Sequence, residues 1–102
     1  MASSPIVVAT IDKDPEDKTI RGLDWGAFLT QLGGGLALTT STWSAPSDLT
    51  LTNQGMTGAS TISAVLIAGG YIGNDYLVTN HVMLTDNKQE YDRSLLIRVL
   101  GL

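Results

Sequence analysis

Alternation of side-chain character is clearest from Tyr76 to Met83. Tyr76, Val78, Asn80 and Val82 fall on one parity, and Leu77, Thr79, His81 and Met83 on the other. Strand side chains repeat every two residues, so this is a strand with two distinct faces. The Gly-rich run Ala68-Gly69-Gly70-Tyr71-Ile72-Gly73-Asn74-Asp75 before it predicts a turn. A Tyr at the foot of a strand, just after such a turn, predicts a corner whose hydroxyl bonds to nearby backbone, a device of immunoglobulin-like sandwiches.

Other segments repeat the period. Ile6 to Thr10 predicts a first short strand, and the charged piece Asp12-Lys13-Asp14-Pro15-Glu16-Asp17-Lys18 a solvated turn. Thr19 to Trp25 predicts a second strand with Ile20, then Leu23 or Trp25, turned inward. The phase slip at Gly22 predicts a bulge. After it the spacing changes: Trp25, Phe28, Leu29 and Leu32 lie three and four apart, which predicts one or two helical turns with Asp24 as N-cap and Gly33 as stop. Gly33-Gly34-Gly35 reverses the chain.

Leu36 to Trp43 predicts a strand closed by Pro46, and Leu49 to Thr52 a brief one. Residues 54–60 predict a loop and Thr61 to Ala68 an apolar strand. Asp86-Asn87-Lys88 predicts a hairpin that returns through Glu90 to Leu100, with Tyr91, Arg93, Leu95, Ile97 and Val99 on one face. The expected fold is therefore all-β: an immunoglobulin-like sandwich of about seven antiparallel strands with one short helical turn after Trp25. The 102 residues make one domain, 1–102, with a short N-terminal arm at 1–5.

Composition narrows the function. A net charge of −4, with Lys13, Lys18, Arg21, Lys88, Arg93 and Arg98 scattered, gives no basic patch for nucleic acid. No apolar run approaches the ~20 residues of a membrane helix, so no membrane is expected as a partner. The absence of cysteine removes thiolate metal sites and thiol catalysis. The first ten residues lack the basic region and apolar length of a signal peptide, which predicts synthesis in a cytoplasm.

Candidate chemistry is sparse. His81 is the sole imidazole and has no nucleophile beside it in its strand, so a structural role is favoured. Asp12, Asp14, Glu16 and Asp17 are dense enough to suggest calcium, but they lack the alternating spacing and terminal Glu of a calcium loop. Gly33-Gly34-Gly35 and Gly69-Gly70 are not followed by Lys-Ser/Thr and a helix, so neither is a phosphate cradle. Trp25 and Trp43 could stack on sugars if exposed; at strand ends they are expected in the core. No catalytic, cofactor-binding or metal residue is assigned, no cofactor is expected, and the chain reads as a non-enzyme.

Several features then recur in order: Lys13-Asp14-Pro15, Leu23-Asp24-Trp25 with Phe28-Leu29, and Ser41-Thr42-Trp43 leading to Pro46 and Leu49-Thr50. They continue as Gly69-Gly70, Gly73-x-x-Tyr76-x-Val78-Thr79-Asn80-x-Val82, and Asp92-Arg93-Ser94 opening Leu95 to Val99. Through nearly its whole length the chain resembles the phage fibre–tail adaptors, small immunoglobulin-like virion proteins of tailed bacteriophages. The resemblance implies a non-enzymatic virion component, made in the host cytoplasm and present in multiple copies in a symmetric assembly. It would dock tail fibres or other components onto the tail or neck, with tail, neck and fibre subunits as partners.

The expected contact segments are the arm before Pro5, the 54–60 loop and Leu100-Gly101-Leu102. Two alternatives stand beside it: a capsid decoration or head–tail connector protein, and a carbohydrate-binding module for host adsorption. A hydrolase would require an acid pair that the sequence does not supply.

Overall fold

The computed structural model describes residues 6–58 and 60–101. Among them are seven strands and one helix: β1 (Val7–Lys13), β2 (Thr19–Asp24), α1 (Gly26–Leu32), β3 (Leu38–Ser44), β4 (Leu49–Thr57), β5 (Ile62–Gly69), β6 (Asp75–Leu84) and β7 (Glu90–Val99). They form two sheets, β1-β7-β6-β3 and β2-β5-β4. The groupings β2-β5-β4 and β3-β6-β7 are those of strands B-E-D and C-F-G in an immunoglobulin sandwich.

Not every pairing is antiparallel. β1 runs parallel to β7, from Val7 opposite Ser94 to Lys13 opposite Val99. The turn at 14–18 carries the chain across to the other sheet, so β1 closes the free edge of the last strand and runs in its direction. β1 is also longer than the apolar run suggested. Asp12 and Lys13 belong to the strand, which leaves only 14–18 as the turn.

β6 has the two faces that its alternation predicts. Tyr76, Val78, Asn80, Val82 and Leu84 are buried, and the intervening residues are half-buried. Its pairing with β7 is unbroken from Asp75–Arg98 to Met83–Glu90, so Tyr91, Arg93, Leu95, Ile97 and Val99 share the inward phase. α1 begins where the spacing changes. The Asp24 carboxylate accepts the Gly26 N–H at 2.8 Å, although the cap position itself is Trp25, and Gly33 closes the helix.

Two details of the sheet depart from expectation. β2 pairs with β5 without a break from Thr19 to Asp24, so there is no bulge at Gly22. Glycine is needed there for close approach instead, because a Cβ would lie 2.6 Å from the Ser63 carbonyl oxygen. The unbroken register also turns Ile20 outward, where it is 72% exposed, and leaves Leu23 to pack inside. The second departure is β4, which includes most of the expected 54–60 loop. It bulges between Thr52 and Gly55, with Asn53 at a φ of 53°, and then resumes pairing to Thr57. Gln54 fits this edge because its side-chain oxygen accepts the Trp43 N–H at 3.1 Å.

The core is divided along β6. Trp43, Leu49, Val65, Ile67, Tyr76, Val78, Leu95, Ile97 and Val99 fill one end, and Trp25, Leu29, Leu38, Val82 and Leu84 the other. Between them lies a polar layer centred on Asn80. Asn80 Oδ1 accepts the Trp25 indole N–H at 3.0 Å, while Nδ2 donates to Ser41 Oγ at 2.8 Å and to the Thr42 carbonyl at 3.1 Å. Ser41 bonds to Ser63, whose hydroxyl accepts the Trp43 indole N–H at 2.8 Å. Every hydrogen-bonding atom of the Asn80 amide group is thus engaged. Arg93 seals the Trp25 end, its guanidinium 5.4 Å from the Trp25 ring centroid and 5.1 Å from that of Phe28.

Candidate functional site

The turn between β5 and β6 is held by side-chain and backbone hydrogen bonds together. The Tyr76 hydroxyl donates to Asp48 Oδ2 at 2.9 Å and accepts the Tyr71 backbone N–H at 3.1 Å and the Asn74 side-chain N–H at 3.3 Å. The corner foreseen at Tyr76 is therefore present, and it also recruits the β3–β4 turn through Asp48. Gly70 lets the chain pass close to this ring. A Cβ there would lie 2.8 Å from Val99 Cγ2, and its φ of 95° favours glycine independently.

Replacing Tyr76 with Phe is expected to lower stability by about 1–2 kcal/mol, because the Tyr71 N–H loses its acceptor while the ring still packs. Thermal unfolding checks this; an unchanged Tm would show that the corner carries no load.

A second clamp was hidden in the sequence. Lys13, read as part of a solvated run, is only 1% exposed. Its ammonium donates to the carbonyls of Gly69 at 2.7 Å and Asp14 at 2.9 Å, with a longer contact to Pro15 at 3.5 Å. It thereby ties the β1–β2 turn to the end of β5. The pattern of charges gave no hint of this; only the extension of β1 through residue 13 does so.

The remaining candidates have structural or solvent-facing roles. His81 lies on the outer face of its sheet, its Nδ1 2.5 Å from Asp92 and its Nε2 2.9 Å from Glu90. These two carboxylates, Asp92 first, raise the imidazole above its usual value of about 6.5. A raised folded-state value means the added stability is fully present below about pH 6.5 and is lost as pH rises through the folded value. Because His81, Glu90 and Asp92 are all well exposed, the effect is small. Wild-type Tm is expected to fall slightly from pH 6 to pH 9 relative to His81→Gln, and parallel pH profiles for the two would contradict the assignment.

Asp14 and Asp17 organise their own turn. Asp14 Oδ1 accepts the Glu16 N–H at 2.9 Å, and Asp17 Oδ2 accepts the Asp14 N–H at 3.3 Å. Asp12 turns to Arg98 at 4.0 Å. Among the described residues, no three His, Asp or Glu side chains converge as a metal site would require. Gly33-Gly34-Gly35 closes α1, and a groove of about 450 Å³ beside it is lined by Leu29, Leu36, Thr30 and Thr61 without a charged side chain. Trp25 and Trp43 are 3% and 5% exposed, so neither offers a face to a sugar.

The expected contact segments are only partly described. Residues 1–5 of the arm, residue 59 and Leu102 lie outside the described residues. Leu100 is half-buried, with its N–H bonded to the Lys13 carbonyl at 2.8 Å, and Gly101 is exposed. Among the described residues, no helix is long and apolar enough to cross a membrane.

No curated protein matches this chain. No solved structure matches it either. A family model does, over residues 13–98, from the buried Lys13 to the Arg98 that faces Asp12. That span takes in both clamps and β2 through β7 save Val99, leaving out β1 before Lys13, and the model it matches is described as the Podophage GP4 fiber-tail adaptor protein gp77. The chain belongs to this family of phage fibre–tail adaptors.

Proposed function

We propose that the protein acts without catalysis, as a rigid block that docks tail fibres or other tail components onto the tail or neck of a phage particle. The observation that carries this reading is the family match over residues 13–98. The physical character of the sandwich supports it. A docking block needs turns that keep their shape when the partner arrives, since ordering flexible segments on binding lowers affinity. Here the Tyr76 and Lys13 clamps join three turns at one end of the molecule.

The non-enzymatic part of the reading rests on how the titratable candidates are used. His81 sits on an open sheet face between two carboxylates, and Asp14 and Asp17 build a turn. Several copies would be arranged with the symmetry of the tail, made in the host cytoplasm and incorporated there. Nucleic acid and membrane are not among the proposed partners. The sugar-binding alternative loses its support with both indoles buried.

Deletion of this chain from the phage tests the proposal. Particles with filled heads and tails but without fibres are expected. Normal fibre occupancy on such particles would refute it.

A further inference from the structure

Two large apolar side chains stand out at the end of the sandwich that carries the clamps. Tyr71 and Ile72 are adjacent and each is 65% exposed. Their turn is held by four backbone hydrogen bonds besides the one to Tyr76. Gly70 N–H donates to the Asp48 carbonyl at 3.0 Å, Gly73 N–H to that of Val99 at 2.9 Å, Asn74 N–H to that of Tyr71 at 3.2 Å, and Val99 N–H to that of Asn74 at 3.0 Å. Ile72 lies near the exposed Gly101, where a Cβ would be 3.7 Å from its Cδ1. Apolar side chains exposed on a backbone fixed in advance have the character of interface anchors.

The charges around them identify the kind of partner. Register places the end of β1, the start of β6 and the end of β7 together, with Lys13 opposite Val99 and Asp75 opposite Arg98. Asp12, Asp14, Glu16, Asp17, Asp48 and Asp75 therefore belong to this end, six of the ten acids in the chain. The cations there are Lys13, Lys18 and Arg98, and Lys13 is buried. The end is thus an acidic field around an apolar tip, which complements a basic surface around an apolar pocket. Ile20 is more exposed, at 72%, but its cross-strand neighbours are Leu66 and Thr52, an uncharged surface that names no occupant.

We propose that this end is the one that docks, with Tyr71 and Ile72 as its anchors, and that its occupant is a basic protein surface of the tail that holds an apolar pocket. This rests on the adaptor reading and specifies the contact that the reading leaves open.

The test uses tails purified from particles assembled without this chain, with co-sedimentation of the purified full-length protein at about 50 and 500 mM salt. Tyr71→Ser/Ile72→Ser is expected to weaken binding at least about 100-fold with an unchanged Tm, whereas Ile20→Ser stays within about twofold of wild type. Glu16→Lys is expected to weaken binding about five- to tenfold at the lower salt, with the difference closing at the higher. Wild-type affinity in the Tyr71/Ile72 variant would overturn the docking end while leaving the adaptor reading intact. Tighter binding by Glu16→Lys would overturn the basic partner. Failure of wild type itself to sediment with tails would overturn the adaptor reading, and this inference with it.

Discussion

Replacing Asn80 with Ala is expected to destabilise the protein by about 2–4 kcal/mol, which for a domain of this size lowers Tm by roughly 10–20 °C. The truncation removes both the acceptor and the donor of the amide and leaves its three partners behind. Trp25 Nε1–H loses its acceptor in the buried interior, and Ser41 Oγ and the Thr42 carbonyl, which are part-buried, lose a donor. Each buried polar group left without a partner costs about 1–3 kcal/mol, and the small cavity adds to that. Asn80→Leu separates the two contributions, because it restores volume without restoring hydrogen bonds. It is expected to remain clearly less stable than wild type. A Leu variant as stable as wild type would show that volume at this position matters and the polar layer does not.

Replacing Lys13 with Met is expected to cost about 2–3 kcal/mol. Met keeps the unbranched stem but removes the ammonium that holds the Gly69 and Asp14 carbonyls at 2.7 and 2.9 Å. Hydrogen bonds from a charged donor contribute about 1.5–3 kcal/mol net, a figure already reduced by desolvation. Water reaching the half-buried turn offsets part of the loss, which keeps the expectation near the cost of one strong bond and part of another. Amide exchange should locate the damage. Faster exchange is expected at the 14–18 turn and around Gly70, with β6 and β7 protected as before. Wild-type Tm and exchange in the Met variant would contradict the clamp.

The parts of the fold that were legible in the sequence follow from local rules. The alternation from Tyr76 to Met83 fixes both faces of β6, and the three- and four-residue spacing from Trp25 to Leu32 fixes α1. Turn chemistry at Gly69-Gly70 marks the crossing from β5 into β6, and that at Asp86-Asn87-Lys88 the hairpin from β6 into β7. Each of these signals is read within a dozen residues.

What escaped the sequence depends on partners far along the chain. Ile20 was placed inward because it is apolar, but register with β5 decides its face, and that register is set by residues more than forty positions away. Lys13 escaped for the opposite reason. A cation in a charged run reads as solvated, yet the carbonyl of Gly69, 56 residues later, arrives to receive it. β1 was expected to pair antiparallel like its neighbours. Its parallel match to β7 depends on the chain changing sheets at the 14–18 turn, for which the sequence carries no local mark. Parity placed Asn80 only on the face of Tyr76, Val78 and Val82; its role as the hub between two indoles needs Trp25 and Ser41 in place.

The proposed docking end was half legible. Tyr76 identified the corner, whereas Tyr71 and Ile72 beside it read only as turn residues. Their exposure became meaningful once the turn proved to be held from three sides and surrounded by acids. The clamp residues hold those two side chains in place, which is how they would serve the proposed docking.

The most direct test of the adaptor account is the position of this chain in the assembled particle. Antibody-gold labelling of intact phage, or a reconstruction of the tail, is expected to place it where fibres meet the tail, in a ring that follows the tail's symmetry. Label distributed over the head surface, with none at the fibre attachment points, would contradict the account.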